Sequence, residues 1–436
     1  MNTDKFEPLG VPDISHTGDA APELPMSGQL GRVTDLDRWL LRKLLEGVGD
    51  PPIRLVLWNG EGVTTSAHPA VAQVHIKDRG AIVKLLLDAE LHFGDLYSAG
   101  RIDVDGDMLV FVETVYRAME AKNRTSMFKR RFQRLRNRPR TNSLSGSRQN
   151  IHHHYDISND FYELWLDREA MQYTCAYFPE PAMTLEQAQA AKMHHVCRKL
   201  RLKPGETVVE AGCGWGGLAR FMARHYGVKV RAYNISREQL AFARQRAETE
   251  GLAAQVEYVE DDYRNIDGRY DAFVSVGMLE HVGTQHYHGL GHVIDRCLTS
   301  EGRGLIHSIG RNQAGLMNAW IEKRIFPGAY PPTLGEMTEI FEPWEFSVLD
   351  VENLRLHYAK TLEHWLQRFD AQEGRVRDMF DERFVKAWRL YLIGSIAAFT
   401  TGSLQLFQVV FQRPGSNDLP WSRAHLYSDH AIPERR

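Results

Sequence analysis

The segment Glu210-Ala211-Gly212-Cys213-Gly214-Trp215-Gly216-Gly217 combines residue types that could hold a charged ligand. Glycines at this density let a backbone turn tightly and approach a ligand closely. Gly212, Gly214 and Gly217 satisfy the Gly-x-Gly-x-x-Gly pattern of dinucleotide sites. Such a site also wants a carboxylate about twenty residues further on, at the end of the next strand, to hold a ribose. The next strand here ends Ala232-Tyr233-Asn234-Ile235, with no carboxylate. An acid instead precedes the glycines, at Glu210, and Asp261-Asp262 follows the third strand, where an adenine amino group could be read. Cys213 and Trp215 are expected to pack the loop.

Other reactive side chains carry weaker signals. His152-His153-His154 and the set His281, His286, His288 and His292 look like metal-ligand clusters, but neither has a spacing typical of zinc, so no metal is expected. The cysteines Cys175, Cys197, Cys213 and Cys297 form no Cys-x-x-Cys pair. That spacing excludes a disulfide framework and fits a reducing cytosol.

The elements that must position these residues follow a clear rhythm. Strands are expected at 207–211, 228–235, 256–259, 270–276 and 304–308, with helices at 218–226 and from Ser236 to near Gly251. That alternation predicts an α/β fold, a parallel sheet with helices on both faces. Upstream, residues 36–121 read as a small α+β unit, with strands at 53–58 and 71–76 and helices at 80–91 and 109–121. Residues 1–34 read as a loose arm without the apolar run of a signal peptide. Between the units, residues 126–148 carry Lys129, Arg130, Arg131, Arg134, Arg136, Arg138, Arg140 and Arg148 and no acid. This reads as an interdomain linker and as an electrostatic anchor for anionic lipid, two compatible roles. Residues 390–412 are uncharged and long enough to span a bilayer, yet they hold Gly394, Thr400, Thr401, Gly402, Gln405 and Gln408. A buried helix, a Thr-Thr-Gly-Ser turn and a core strand are expected there.

Length and composition agree. The 436 residues, 43% hydrophobic and 25% charged, fit a folded protein of two or three domains. The formal net charge of −3 excludes a chain that is basic throughout, so any affinity for nucleic acid or anionic lipid must come from a local patch; a nucleic-acid arm would look the same as the basic segment, but no nucleic-acid partner is expected. The segmentation is therefore 1–34 arm, 35–125 small domain, 126–150 basic linker, 151–412 catalytic domain and 413–436 tail.

Glu-x-Gly-x-Gly-x-Gly, with Asp262 after the third strand, resembles the S-adenosylmethionine (SAM) methyltransferases. Further segments narrow the resemblance: His154-Tyr155-Asp156-Ile157-Ser158-Asn159-Asp160-Phe161-Tyr162, Tyr173-Thr174-Cys175-Ala176-Tyr177, Gly277-Met278-Leu279-Glu280-His281-Val282-Gly283, Leu305-Ile306-His307-Ser308-Ile309-Gly310 and His357-Tyr358-Ala359-Lys360-Thr361. With Trp320-Ile321-Glu322-Lys323-Arg324, these closely resemble the cyclopropane fatty acid synthase family over about residues 150–412. The run Phe93-Gly94-Asp95-Leu96-Tyr97-Ser98-Ala99-Gly100 resembles the N-terminal domain of the long bacterial members.

The resemblance implies a Rossmann-like class I SAM methyltransferase sheet with helical insertions, joined to a lipid-binding-like N-terminal domain. It implies transfer of the SAM methyl to a cis double bond of a phospholipid acyl chain, closing a cyclopropane ring. A bicarbonate ion would act as base, caged by Glu280, His307, Tyr358, Cys175 and a backbone contact of Ile309. For SAM it points to Tyr173, Thr174, Glu210, Gly212, Gly214, Gly216, Asn234, Gln239, Asp262 and Tyr263, with Gln239 in the ribose role that no carboxylate fills. The related alternative is a fatty acid C-methyltransferase giving a methylene, methyl-branched or furan-precursor product. His281 and His307, which methylene-forming relatives can lack, favour the ring. Thr400-Thr401-Gly402-Ser403 stands where the family usually carries one or two arginines. Expected partners are an unsaturated phospholipid and an anionic membrane surface touched peripherally from the cytoplasm, at the inner membrane; a homodimer is left open.

Overall fold

The computed structural model describes residues 31–125 and 158–427. The basic segment and the His152-His153-His154 run lie outside them. The described residues fall into two compact units that do not follow chain order.

Among the described residues, one unit joins residues 31–125 to residues 315–327 and 362–403. After the helix Asp35–Val48 come β1 (Arg54–Val56), β2 (Gly62–Val63), β3 (Gln73–Ile76) and β4 (Ile102–Asp105), in sheet order β2-β1-β3-β4. The expected helix at 80–91 is two helices, Arg79–Leu87 and Ala89–Ser98. Asp88 takes an extended conformation between them, and its carboxylate caps the second helix through Leu91 N–H (3.0 Å). A short polar side chain that bonds its own downstream backbone favours a helix start over a continuous helix. Ile393 and Ala397 of the helix Glu382–Thr401 sit in one core with Leu41, Leu45, Leu55, Ile82 and Phe111. Trp320 Nε1 and Arg324 both bond Asp95 (3.1 and 2.8 Å). The stretch assigned from sequence to one catalytic segment, 151–412, therefore contributes helices to this unit, because their apolar faces complete its core.

The other unit holds a seven-stranded sheet, β10-β11-β9-β8-β5-β6-β7. Its strands are β5 (Thr207–Ala211), β6 (Lys229–Asn234), β7 (Val256–Glu260), β8 (Tyr270–Val276), β9 (Leu298–Gly310), β10 (Ser347–Asn353) and β11 (Gln405–Gln412). Strands β5 to β9 run parallel, and β11 and β10 add antiparallel. Period-2 alternation serves both faces. Val208, Ala232, Val274 and Leu305 pack with the helices Leu185–Lys199, Gly217–Tyr226 and Arg237–Thr249, whereas Val209, Tyr233, Phe273 and Ile306 pack with Leu290, Val293 and Ile294 of the helix Tyr287–Cys297. Strand order reverses at β5, so the crevice at the carboxyl ends of β5, β6 and β8 is where a ligand belongs in an open α/β sheet.

The 390–412 stretch divides as the residue types demand. The helix Glu382–Thr401 ends at Gly402, in the left-handed region (φ 84°), and β11 is buried along its whole length. Among the described residues no helix is long and apolar enough to cross a membrane.

Candidate active site

The glycine loop closes β5 and opens the helix Gly217–Tyr226, with Gly212, Gly214 and Gly216 all at positive φ. A Cβ on Gly216 would fall 2.4 Å from Tyr258 Oη, and one on Gly212 3.0 Å from Met278 Cβ. Trp215 is buried and donates from Nε1 to Asn159 (2.8 Å), which agrees with a packing role. Asn234, at the end of β6, donates to the Gly214 carbonyl (3.2 Å) and to Gln239 Oε1 (2.8 Å). Ser236 caps the helix that presents Gln239. Asp262 is buried after β7 and accepts from Arg264 N–H (3.0 Å); the Arg264 guanidinium lies over the half-buried Tyr263 ring.

Glu280 and His307 stand at the ends of the neighbouring strands β8 and β9. Val276 pairs with His307, and Gly277 N–H donates to the His307 carbonyl (2.9 Å). Both side chains are buried. Glu280 Oε1 accepts from Ile309 N–H (2.6 Å), so the backbone group of Ile309 is spent on holding this carboxyl. Burial pushes the Glu280 carboxyl up to about 7. Burial also drives the His307 imidazole well below its usual range, and Gln408 Nε2 donates to His307 Nδ1 (3.0 Å). With the Gln408 amide in this orientation, the neutral ring carries its proton on Nε2. Cys175 donates to the Ala176 carbonyl (3.1 Å), and the Leu354 carbonyl lies 3.9 Å from its Sγ. The same Leu354 carbonyl accepts from Tyr358 N–H (3.2 Å), and Leu354 N–H donates to Leu406, which pairs with Ile309. These bonds tie the Cys175 and Tyr358 segments through Leu354 to β11, the strand that pairs with β9.

The buried side-chain atoms that have no partner among the described residues include Glu210 Oε2, Gln239 Nε2, Glu280 Oε2 and His307 Nε2, four atoms around this crevice. A buried polar atom left unsatisfied costs about 1–3 kcal/mol, so such a set marks a place made for polar ligands. Two lie beside the glycine cradle and suit an amino-acid nucleoside. The other two, a carboxyl that is half protonated near neutrality and a fixed N–H donor, suit a small oxyanion.

Three supporting residues were not read from sequence. Lys192 is wholly buried, and Nζ donates to Thr174 Oγ1 (3.0 Å) and to Gln172 Oε1. Asp167 accepts from Gln172 N–H (2.7 Å) and Ala170 N–H (2.8 Å). Gln189 Nε2 donates to the Thr174 carbonyl (2.9 Å). Together they shape the segment 170–174, where Met171 has a φ of 52°. The signal was available: Gln189 and Lys192 occupy the apolar side of the helix Leu185–Lys199, in step with Leu185, Ala188 and Val196. Gln408 is likewise a polar residue inside an otherwise apolar run of β11. Of the histidine set, His288 and His292 lie beside the Trp344 ring, and the described residues hold no group of three or more ligating side chains placed for a metal.

The doubly faced α/β sheet with a glycine cradle at its reversal point defines a class I SAM methyltransferase. A solved mycolic acid cyclopropane synthase complexed with SAH and CTAB has this fold, with TM-score 0.57 and 30% identity over 61% of this chain and 98% of that one. The family model described as "Mycolic acid cyclopropane synthetase" matches residues 142–409, and a domain of unknown function, DUF7884, matches 40–127. A probable fatty acid methyltransferase of Pseudomonas putida is 37% identical over 86% of this chain and 96% of its own length. A cyclopropane-fatty-acyl-phospholipid synthase of Escherichia coli is 37% identical over 81% of this chain and 91% of its own. The chain belongs to the cyclopropane synthase family and is a SAM-dependent methyltransferase.

Proposed function

We propose that the protein transfers the methyl group of SAM to a cis double bond of an unsaturated acyl chain in a membrane phospholipid, closing a cyclopropane ring with bicarbonate as base. The observation that carries this reading is the pair of buried, unpartnered groups, Glu280 Oε2 and His307 Nε2–H, beside the cofactor cradle.

An alkene is a weak nucleophile, and methylating it leaves positive charge on the acyl chain; ring closure then removes one proton from the added methyl. When bound, SAM supplies the electrophilic methyl and bicarbonate the proton acceptor. The chain's own residues supply orientation and dryness. Asn234, Gln239, Asp262, Tyr263 and the glycine loop would hold the nucleoside, with Tyr173, Thr174 and Glu210 at the other end. Glu280 can share a proton with an anion because its carboxyl is poised near neutrality; two bare anions at that distance would repel. His307 Nε2–H fixes the anion's orientation, and Ile309 N–H turns Glu280 Oε2 toward it. Cys175 and Tyr358 complete the wall, and burial of the Cys175 thiol keeps it protonated. Access to phospholipid fits peripheral attachment through the basic segment 126–148.

The Pseudomonas putida relative is described only as a probable fatty acid methyltransferase, which is compatible with a second reading, a methyl-branched or methylene product. His307 with its fixed tautomer supports the ring. NMR together with mass spectrometry of phospholipids from cells expressing the protein, read for ring CH2 against a residual olefin or an added methyl, separates the two, and Glu280→Gln should lose ring formation while SAM still binds by calorimetry. Loss of SAM binding in that variant would contradict the assigned role.

A further inference from the structure

Lys192 Nζ is a buried donor that the reaction scheme does not use. It donates hydrogen bonds to Thr174 and Gln172, and the Asp167 and Glu210 carboxyls act on its charge. An ammonium offers three protons and accepts none. Thr174 Oγ1 must therefore accept from it, and the hydroxyl's own proton is left to donate elsewhere. The rest of Thr174 is fixed as well. Its carbonyl accepts from Gln189 Nε2 (2.9 Å), and a Cβ on Gly277, just past β8, would lie 2.9 Å from Thr174 Cγ2.

Position decides what that proton meets. Asn234, Gln239 and Asp262 stand at the ends of β6 and β7, on one side of β5, whereas Thr174 stands at the end of β8, on the other. A nucleoside held by the first group leaves its amino-acid end over β5 and β8. That end carries a carboxylate, which only accepts, and an ammonium, which only donates. Glu210 Oε2, buried and unpartnered among the described residues, is an acceptor of the right sign for the ammonium.

We infer that Lys192 is a positioning residue that makes the Thr174 hydroxyl a dedicated donor to the carboxylate of the cofactor's amino-acid end. The inference rests on the SAM reading of the crevice and deepens it. It is tested on the full-length protein by calorimetry with SAM and with decarboxylated SAM, which lacks the acceptor. Wild type should prefer SAM by about tenfold or more, the factor expected of one charge-assisted hydrogen bond. Thr174→Ser should keep that preference. Lys192→Met and Thr174→Val should each abolish it while leaving the decarboxylated ligand's affinity within about twofold, and the double variant should lose no more than either single one. If Lys192→Met gives no cooperative melt, Lys192→Gln replaces it with a side chain of similar length and no charge. A preference that survives loss of the charge, or equal weakening of both ligands, overturns the inference while the SAM reading stands. A wild-type protein that binds neither ligand overturns the SAM reading and this inference with it.

Discussion

Glu280 and Glu210 are both carboxyls pushed up to about 7 by burial, from an ordinary value of 4.5. The folded chain therefore holds these protons more tightly than the unfolded chain does. Their contribution to stability is full below about 4.5 and declines as pH rises toward 7. Glu280→Gln removes that decline: its melting temperature at pH 8 should exceed wild type by about 2–4 °C, with the gap closing toward pH 4. The same variant should lose about 10²- to 10⁴-fold in turnover, the range typical of a positioned proton-transfer group, with SAM affinity nearly unchanged. A melting curve at two pH values and a single-turnover assay check both. Gln408→Leu leaves His307 Nδ1 without its donor, so the ring proton can move from Nε2; turnover should fall at least about tenfold, and nitrogen NMR of the labelled ring should show the mixed tautomer. At this scale the sequence motifs point to Glu280, His307, Cys175 and Tyr358 because each sits in a distinctive run of residues. Gln408 and Lys192 were not legible in the same way. Their roles depend on which atom they face, and only three-dimensional placement supplies that.

Among elements, the glycine loop carries the strictest backbone demand. Gly216 combines φ 71° with a Cβ position 2.4 Å from Tyr258 Oη, and Tyr258 Oη in turn donates to the Gly216 carbonyl (3.0 Å). Gly216→Ala should cost about 1–3 kcal/mol in chemical denaturation and lower SAM affinity by an order of magnitude or more. Gly402→Ala strains a helix end in another unit; it should cost about 1 kcal/mol and leave SAM affinity unchanged in the same titration. The parallel strands were legible almost to the residue, because fully buried strands read as short apolar runs bounded by turns. The expected span 304–308 extends in β9 to Leu298–Gly310: pairing with β11 covers 303–310, and the polar start reaches back to Leu298, which pairs with Tyr270 of β8 across a register shift. β10 escaped notice: its Ser347, Asp350, Glu352 and Asn353 belong to a half-buried edge strand that lacks an apolar signal.

For the whole molecule, the decisive feature is a chain that returns to its first unit twice while its sheet is still being built, once between β9 and β10 and once between β10 and β11. Composition and charge bound the domain count, but they say nothing about such returns, which are set by which apolar faces meet. The basic segment 126–148 belongs to this scale too, because the proposed attachment to a membrane runs through it. Replacing Arg130, Arg131, Arg134 and Arg136 with glutamine should weaken cosedimentation with anionic vesicles and flatten its salt dependence, since exposed charges act over about one Debye length. Binding unchanged by these replacements would reduce the segment to a linker. The central claim, methyl transfer to an acyl double bond with ring closure, has a direct test. The purified protein is incubated with vesicles of a cis-unsaturated phospholipid and SAM carrying a fully deuterated methyl, and the acyl products are analysed by mass spectrometry and NMR. The account predicts an acyl chain that has gained one carbon bearing two of the three deuterons and has lost its double bond. A product that keeps all three deuterons, retains a double bond, or carries no label on lipid would contradict it.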